Sequence, residues 1–343
     1  MSLIYNFKEV IVSIHENQPH PLVDPFVPAM SAWSLVTAVS TGIFDIVGDG
    51  LNTSESIARR LGIDPGGVRL LLDILVCLGF LESDNHKFSL TEVSRMTLTD
   101  KSPSRLKNWV RFCRIQLLAM EQLERALSSG ERVDLTDLMK SEDDRRIHQL
   151  AMAETATPAA EWVASQIPVP AGSEIMLDIG GSHGIYSVAI CKNHPPLRSE
   201  IMELPVFIES ARSVADELGT SNCVQHFEGD ILETELKHSY SLVFLGNLIH
   251  HFNADEIRII LRKIFDTLPP GGTVAVWDFA EIEGEANLFS SAFSLFFHMT
   301  SRAQCYSGDE MERFLSDSGF TEFVSVKPPV PSPHILYTAR KPN

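Results

Sequence analysis

The chain has 343 residues, enough for two domains and a sizeable core, and its 44% hydrophobic and 21% charged residues exclude a disordered or fibrous protein. A formal charge of −17 disfavours a nucleic-acid partner, whose phosphates Lys and Arg must neutralise, and disfavours an anionic membrane surface equally. The five cysteines (Cys77, Cys113, Cys191, Cys223, Cys305) are odd in number and lack CxxC spacing, so neither disulfides nor a metal site is expected and a cytoplasmic setting fits best. The apolar stretch Leu70–Leu81 contains Asp73 and is too short to cross a bilayer, and Lys8 and Glu9 interrupt the place of a signal peptide.

A helical stretch at the N-terminus precedes the proline-rich segment His20–Pro28. Residues 29–47 carry apolar side chains at helical spacing, and Gly48–Gly50 ends that helix. Thr53–Ser56 caps a short helix, Ile57–Leu61, and Asp64-Pro65 opens another, Gly67–Leu78. Phe80-Leu81, the turn Asp84-Asn85 and Phe88–Leu90 read as a hairpin, which completes a winged helix-turn-helix pattern. A DNA-reading second helix presents basic side chains to the groove, whereas Val68–Phe80 is apolar almost all round with Arg69 its only cation. Burial against a core or a second subunit is therefore expected.

The segment Ile167–Gly172 (IPVPAG) marks a domain boundary, after which strands and helices alternate. The strands expected are Ile175–Ile179, Ser199–Glu203, Val224–Glu228, Leu242–Leu245 and Val274–Phe279. The helices expected are Ile185–Lys192, Val206–Leu218, Glu256–Leu268 and Ser307–Ser318, with Val324–Val326 and Ile335–Ala339 as a terminal strand pair. That alternation predicts an α/β fold with a doubly wound, mostly parallel sheet. The organisation expected is 1–100 as a winged-helix dimerisation domain, 101–166 as a helical connector and 167–343 as the α/β domain.

Met176–Gly184 (MLDIGGSHG) is an apolar strand with an acid near its end, then a glycine turn, then a helix. Gly180 and Gly181 let backbone approach a ligand closely. Asp178, Glu203 and Asp230 fall at the ends of three successive strands and converge on the switch-point crevice. The turn departs from GxGxxG, which favours an adenosine-containing ligand without a pyrophosphate.

LDIGGSHG, MELP (Met202–Pro205), EGDI (Glu228–Ile231), LIHHF (Leu248–Phe252) and LPPGG (Leu268–Gly272) stand in one order. In that order and spacing the chain resembles the class I O-methyltransferases of the caffeic acid and acetylserotonin type, over nearly its whole length. The resemblance implies a Rossmann-like domain that binds S-adenosylmethionine, an N-terminal winged-helix domain that forms a homodimer, and a small aromatic or enolic acceptor. It places Gly180 against the methionine part of the cofactor and Glu203 on the ribose hydroxyls. Asp230 and Ile231 would flank the adenine, and Gly246 falls where plant relatives often have Lys.

The same resemblance makes His250 the general base and Asp278 the acid that orients it. It puts a second acid where this chain has Cys305, and Cys305 cannot act as a carboxylate. Adjacent residues at a strand end point to opposite sides, so only one of His250 and His251 is expected to face the acceptor. Trp109, Phe112, Met152, Phe293, Phe296, Phe297 and Met299 are candidates for the acceptor pocket, with Met152, Phe297 and Met299 foremost. Two other readings stay open: carbon or nitrogen methylation, or a non-methylating reaction, with the same cofactor; and a winged-helix regulator that senses a metabolite.

Overall fold

The computed structural model describes residues 25–236, 239–281, 288–329 and 332–343. The N-terminal helical stretch and most of His20–Pro28 lie outside them. The chain divides into two compact units, residues 1–114 and 115–343.

The first unit begins with α1 (Phe26–Ser40) and α2 (Ile43–Gly48), where one helix over 29–47 was expected. The apolar spacing runs through the break, but Gly42 adopts φ 80°, a left-handed conformation that ends the first helix. Helix α3 (Ser54–Leu61) starts at a capping box in which Thr53 and Ser56 satisfy each other's amides, and Gly62 closes it. Asp64 caps α4 (Pro65–Cys77), which has proline in its first turn, where a missing N–H costs nothing. The hairpin β1 (Leu81–Asp84) and β2 (Lys87–Leu90) pairs antiparallel, followed by α5 (Glu92–Thr97) and the start of α6 (Lys107–Met120). Val68, Leu72 and Leu75, one face of α4, are buried with Ile43, Phe44, Ile57 and Leu81, while Leu70 on the other face is 61% exposed. That pattern makes α4 amphipathic within the unit rather than apolar all round.

The second unit continues through α7 (Leu123–Ser129), α8 (Leu135–Leu138) and the long α9 (Glu142–Gln166). Then come β3 (Ile175–Ile179), α10 (Ile185–Asn193), β4 (Arg198–Glu203), α11 (Ile208–Leu218), β5 (Val224–Glu228) and β6 (Leu242–Gly246). A 3-10 turn, Ile249–His251, leads to α12 (Ala254–Thr267), β7 (Thr273–Phe279), α13 (Leu288–Ser301), α14 (Gly308–Asp317), β8 (Thr321–Val326) and β9 (His334–Arg340).

The sheet order is β5-β4-β3-β6-β7-β9-β8, parallel except where β9 pairs with β7 and β8. This is a Rossmann-like doubly wound sheet, and the order reverses beside β3, which opens the crevice at its carboxyl end. Both faces are covered: Ile257, Ile260, Leu261 and Ile264 of α12 pack on one, and Ala160, Val163 and Ala164 of α9 with Ile190 of α10 on the other. Truncating a side chain such as Ile260 to Ala would cost about 2–5 kcal/mol through lost burial and the cavity left behind. No helix among the described residues is long and apolar enough to cross a membrane.

Candidate active site

The turn after β3 is held from several sides. The Gly180 amide donates to Met202 O of β4 at 2.8 Å, and Gly184 N to Gly181 O at 3.0 Å. Gly180 has φ 68°, and a Cβ on Gly181 would stand 2.4 Å from the Asp178 carboxyl. The two glycines thus have different causes: the first takes a left-handed backbone, and the second leaves room for the acid beneath it. Ser182 is also left-handed, at φ 51°, and its hydroxyl donates to the buried Gln149 Oε1 of α9. His226 Nε2 donates to Ser182 O at 2.7 Å, and Thr220 Oγ1 to His183 O at 2.6 Å. His183 Nδ1 accepts from the Ile185 amide, so this histidine is buried in the turn's own hydrogen bonding.

Asp178 accepts from Ser187 through Oδ2 at 2.6 Å, while its buried Oδ1 has no hydrogen-bond partner among the described residues. Burial pushes its carboxyl up to about 7. Glu203 is likewise pushed up to about 7 by burial, against the pull of the Leu204 amide, which donates to Oε1 at 2.8 Å. Asp230 accepts the Leu232 amide at 2.9 Å, and Ile231 is buried beside it. The loop after Asp230 is gripped by Lys263 of α12, whose amine donates to Ile231 O at 2.8 Å and Leu232 O at 2.6 Å. Gly246 closes β6, and a Cβ there would come within 2.8 Å of the Phe244 ring.

These residues fit S-adenosylmethionine. Asp178 keeps one buried carboxylate oxygen without a partner among the described residues, directly beneath the Gly180–Gly181 turn, and a second carboxylate, Glu203, stands at the next strand end. A cationic, hydroxyl-bearing ligand would suit both acids.

Next to the crevice, His250 and Asp278 are buried together. His250 Nδ1 lies 2.5 Å from Asp278 Oδ1, and Asp278 Oδ2 accepts the amides of Leu248 at 3.0 Å and Ile249 at 2.6 Å. Burial alone would raise Asp278, but the charge and hydrogen bond of His250 outweigh it, so the carboxyl is held below its ordinary range. When His250 is neutral, an ionised Asp278 favours the tautomer with the proton on Nδ1, and the lone pair is then on Nε2.

The expectation that His250 and His251 point apart is corrected. Both lie on the 3-10 turn, not at a strand end, so strand alternation does not apply, and their ring centroids are 4.2 Å apart. His251 Nδ1 is bonded to Ser301 Oγ at 3.2 Å. Cys305 is buried among Ala119, Ala126, Phe296, Phe297 and Met299, and burial pushes its thiol up to about 11. A neutral thiol therefore stands where an acid was expected.

Phe289, Phe293 and Phe297 follow one face of α13 at four-residue spacing, grading from 43% exposed at Phe289 to 4% at Phe297. Met299 is buried beside Phe297, and Met152 is half-buried on α9. Trp109 and Phe112 belong to the first unit and pack against each other.

Sequence reasoning missed Gln149, His226, Lys263 and the pair His334–Asn247, bonded at 2.8 Å. All make contacts distant in sequence; Lys263 has only the look of a solvent-facing helix residue.

An O-methyltransferase domain model matches residues 104–321, and an O-methyltransferase dimerisation domain model matches residues 29–100. The chain is 23% identical to 3-hydroxy-5-methyl-1-naphthoate 3-O-methyltransferase of Streptomyces sahachiroi, over 86% of this chain and 87% of that one. It is 28% identical to the N,N-dimethyltransferase OxyT of Streptomyces rimosus, over 72% of this chain and 74% of that one. The structure of human N-acetylserotonin methyltransferase, solved in complex with S-adenosylmethionine, superimposes with a TM-score of 0.82 at 22% identity, covering 94% of this chain and 97% of that one. With the family model spanning most of the second unit, and with a crevice whose acids and glycines suit a sulfonium nucleoside, the chain belongs to the O-methyltransferase family and is an S-adenosylmethionine-dependent methyltransferase.

Proposed function

We propose that the enzyme methylates an oxygen of a small aromatic or enolic acceptor, with His250 as the general base and Asp278 as its orienting acid. The observation that carries this reading is the buried His250–Asp278 pair, in which the carboxylate engages Nδ1 and leaves Nε2 as the nitrogen that can accept a proton. Bound S-adenosylmethionine supplies an electrophilic methyl group on a cationic sulfur. The chain's own residues supply the rest. Gly180, Gly181 and Gly246 let backbone lie against the cofactor, Asp178 answers its positive charge, and Glu203 accepts from the ribose hydroxyls. Asp230 and Ile231 hold the adenine.

Met152, Phe297 and Met299 line the acceptor site and keep water from it. A phenol of pKa ~10 is protonated at neutral pH, so it must lose its proton to His250 Nε2 as the oxygen attacks. The proton ends on the imidazole, where Asp278 compensates the charge. A homodimer formed through the first unit fits the exposed Phe26, Leu70 and Val93 found there.

Incubation with methyl-labelled S-adenosylmethionine and a panel of phenols, enols and amines, read by mass spectrometry, tests this reading. Label on oxygen supports it. The similarity to OxyT favours nitrogen as the second reading, and label confined to nitrogen would establish that instead.

A further inference from the structure

The imidazole of His250 lies on the face of Phe297, with ring centroids 4.0 Å apart and 25° between planes. Phe279 meets it edge-on at 5.2 Å and 73°. Neither ring is free to swing away: Phe297 is 4% exposed in a cluster with Phe296 and Met299, and Phe279 is stacked on Phe293 at 5.2 Å and 15°.

The titratable groups around His250 come from several elements. Asp278 of β7 bonds its Nδ1, and His251 adjoins it on the same turn. His334 of β9 is within electrostatic reach, and Cys305, between α13 and α14, shares the cluster that holds Phe297. His148 of α9 acts on His251. Burial pushes His251 down to about 3, His334 and His148 down to about 4, and Cys305 up to about 11. All four are neutral near pH 7, so among these groups Asp278 carries the only charge that can answer a proton on His250. Asp278 acts in the plane of the imidazole. Above that plane lies the face of Phe297, whose negative quadrupole attracts a cation within ~6 Å and does so most strongly when water is excluded.

We propose that Phe297 is a positioning residue for methyl transfer: stacked on His250, it stabilises the protonated imidazole, so that one carboxylate and one aromatic face serve where Cys305 provides no second acid. This rests on His250 being the base.

The test is an NMR titration of the full-length protein carrying 13C-labelled histidine, with the His250 signal assigned by its loss in H250A. In Phe297→Leu, His250 titrates lower than in the wild type, by on the order of one pH unit, and in Phe297→Tyr it stays near the wild-type position. A ring-fluorinated phenylalanine at position 297 keeps the shape and weakens the face potential, so it shifts the titration downward even if the leucine variant fails to fold. Titration unchanged by the leucine and fluorinated substitutions overturns the proposal. Turnover of H250A separates the two claims. If H250A is inactive and the titrations do not move, only the role of Phe297 falls. If H250A turns over normally, the base reading fails and this proposal fails with it.

Discussion

Asp278 engages His250 and the turn that carries it at the same time: Oδ1 meets the imidazole Nδ1 at 2.5 Å, and Oδ2 accepts the amides of Leu248 and Ile249. One carboxylate thus engages both the His250 imidazole and the backbone that presents it. Asp278→Asn keeps the shape but replaces one acceptor oxygen with an N–H donor, which must face either the imidazole or the amides. Turnover is expected to fall by ~10²-fold or more. Binding of S-adenosylhomocysteine, measured by calorimetry, is expected to stay within about twofold, because no cofactor contact is assigned to Asp278. Melting is expected to show a loss of about 1–3 kcal/mol for the buried groups left unpaired.

With Asp178 and Glu203 proposed to hold the cofactor, its binding is expected to depend on pH. Burial raises both to about 7 in the folded chain, above the ordinary carboxylate range. The folded state therefore holds these protons longer than the unfolded state does. The stability this gives the ligand-free protein is present at low pH and is lost as pH rises through about 7. In the proposed site the cofactor uses the ionised acids, so its affinity is expected to run the other way. Calorimetry with S-adenosylhomocysteine is expected to show tighter binding at pH 8 than at pH 6, by up to ~10-fold per group. Glu203→Gln is expected to flatten that slope as it weakens binding, and a slope unchanged in the variant would remove Glu203 from the ribose site.

Lys263 reaches from α12 to two carbonyls of the loop proposed to hold the adenine. Lys263→Met keeps the aliphatic stem and removes the donor, leaving Ile231 O and Leu232 O short of a partner. Charged hydrogen bonds of this kind contribute about 1.5–3 kcal/mol, so the loss in S-adenosylhomocysteine affinity is expected to lie between roughly ten-fold and ~10²-fold. Affinity equal to wild type would show that the loop holds its shape without the lysine.

The strands and glycine turns were legible in the sequence because each depends on local pattern. Ile175–Ile179 is a short run that holds Asp178 and stops at the glycine turn, Glu203 ends Arg198–Glu203, and Asp230 follows Val224–Glu228. The break at Gly42 was hidden because apolar spacing continues across it and one glycine does not announce a left-handed φ. The orientation of His250 and His251 was misread because strand alternation was carried past the end of β6 into a 3-10 turn. The grips of Gln149, His226 and Lys263 on cofactor-site loops had no sequence signal, since each joins elements far apart in the chain.

Ser182 offers a check on how the glycine turn is balanced. Its left-handed backbone costs about 1–2 kcal/mol, which glycine would relieve. Ser182→Gly also removes the partner of buried Gln149, and an unpaired buried amide costs about 1–3 kcal/mol. The two effects nearly cancel, so chemical denaturation is expected to show a change within about 1 kcal/mol. In a Gln149→Leu background only the backbone relief remains, and Ser182→Gly is then expected to stabilise. Destabilisation in that background would mean that the hydroxyl has another task.

Whether His250 is the base is decided by single-turnover transfer of labelled methyl to an acceptor found in the panel, comparing wild type with His250→Gln at saturating S-adenosylmethionine. Loss of a general base predicts a rate lower by ~10²–10⁴-fold with S-adenosylhomocysteine affinity unchanged. A rate within a few-fold of wild type would contradict the base role of His250 and leave methyl transfer here to positioning alone.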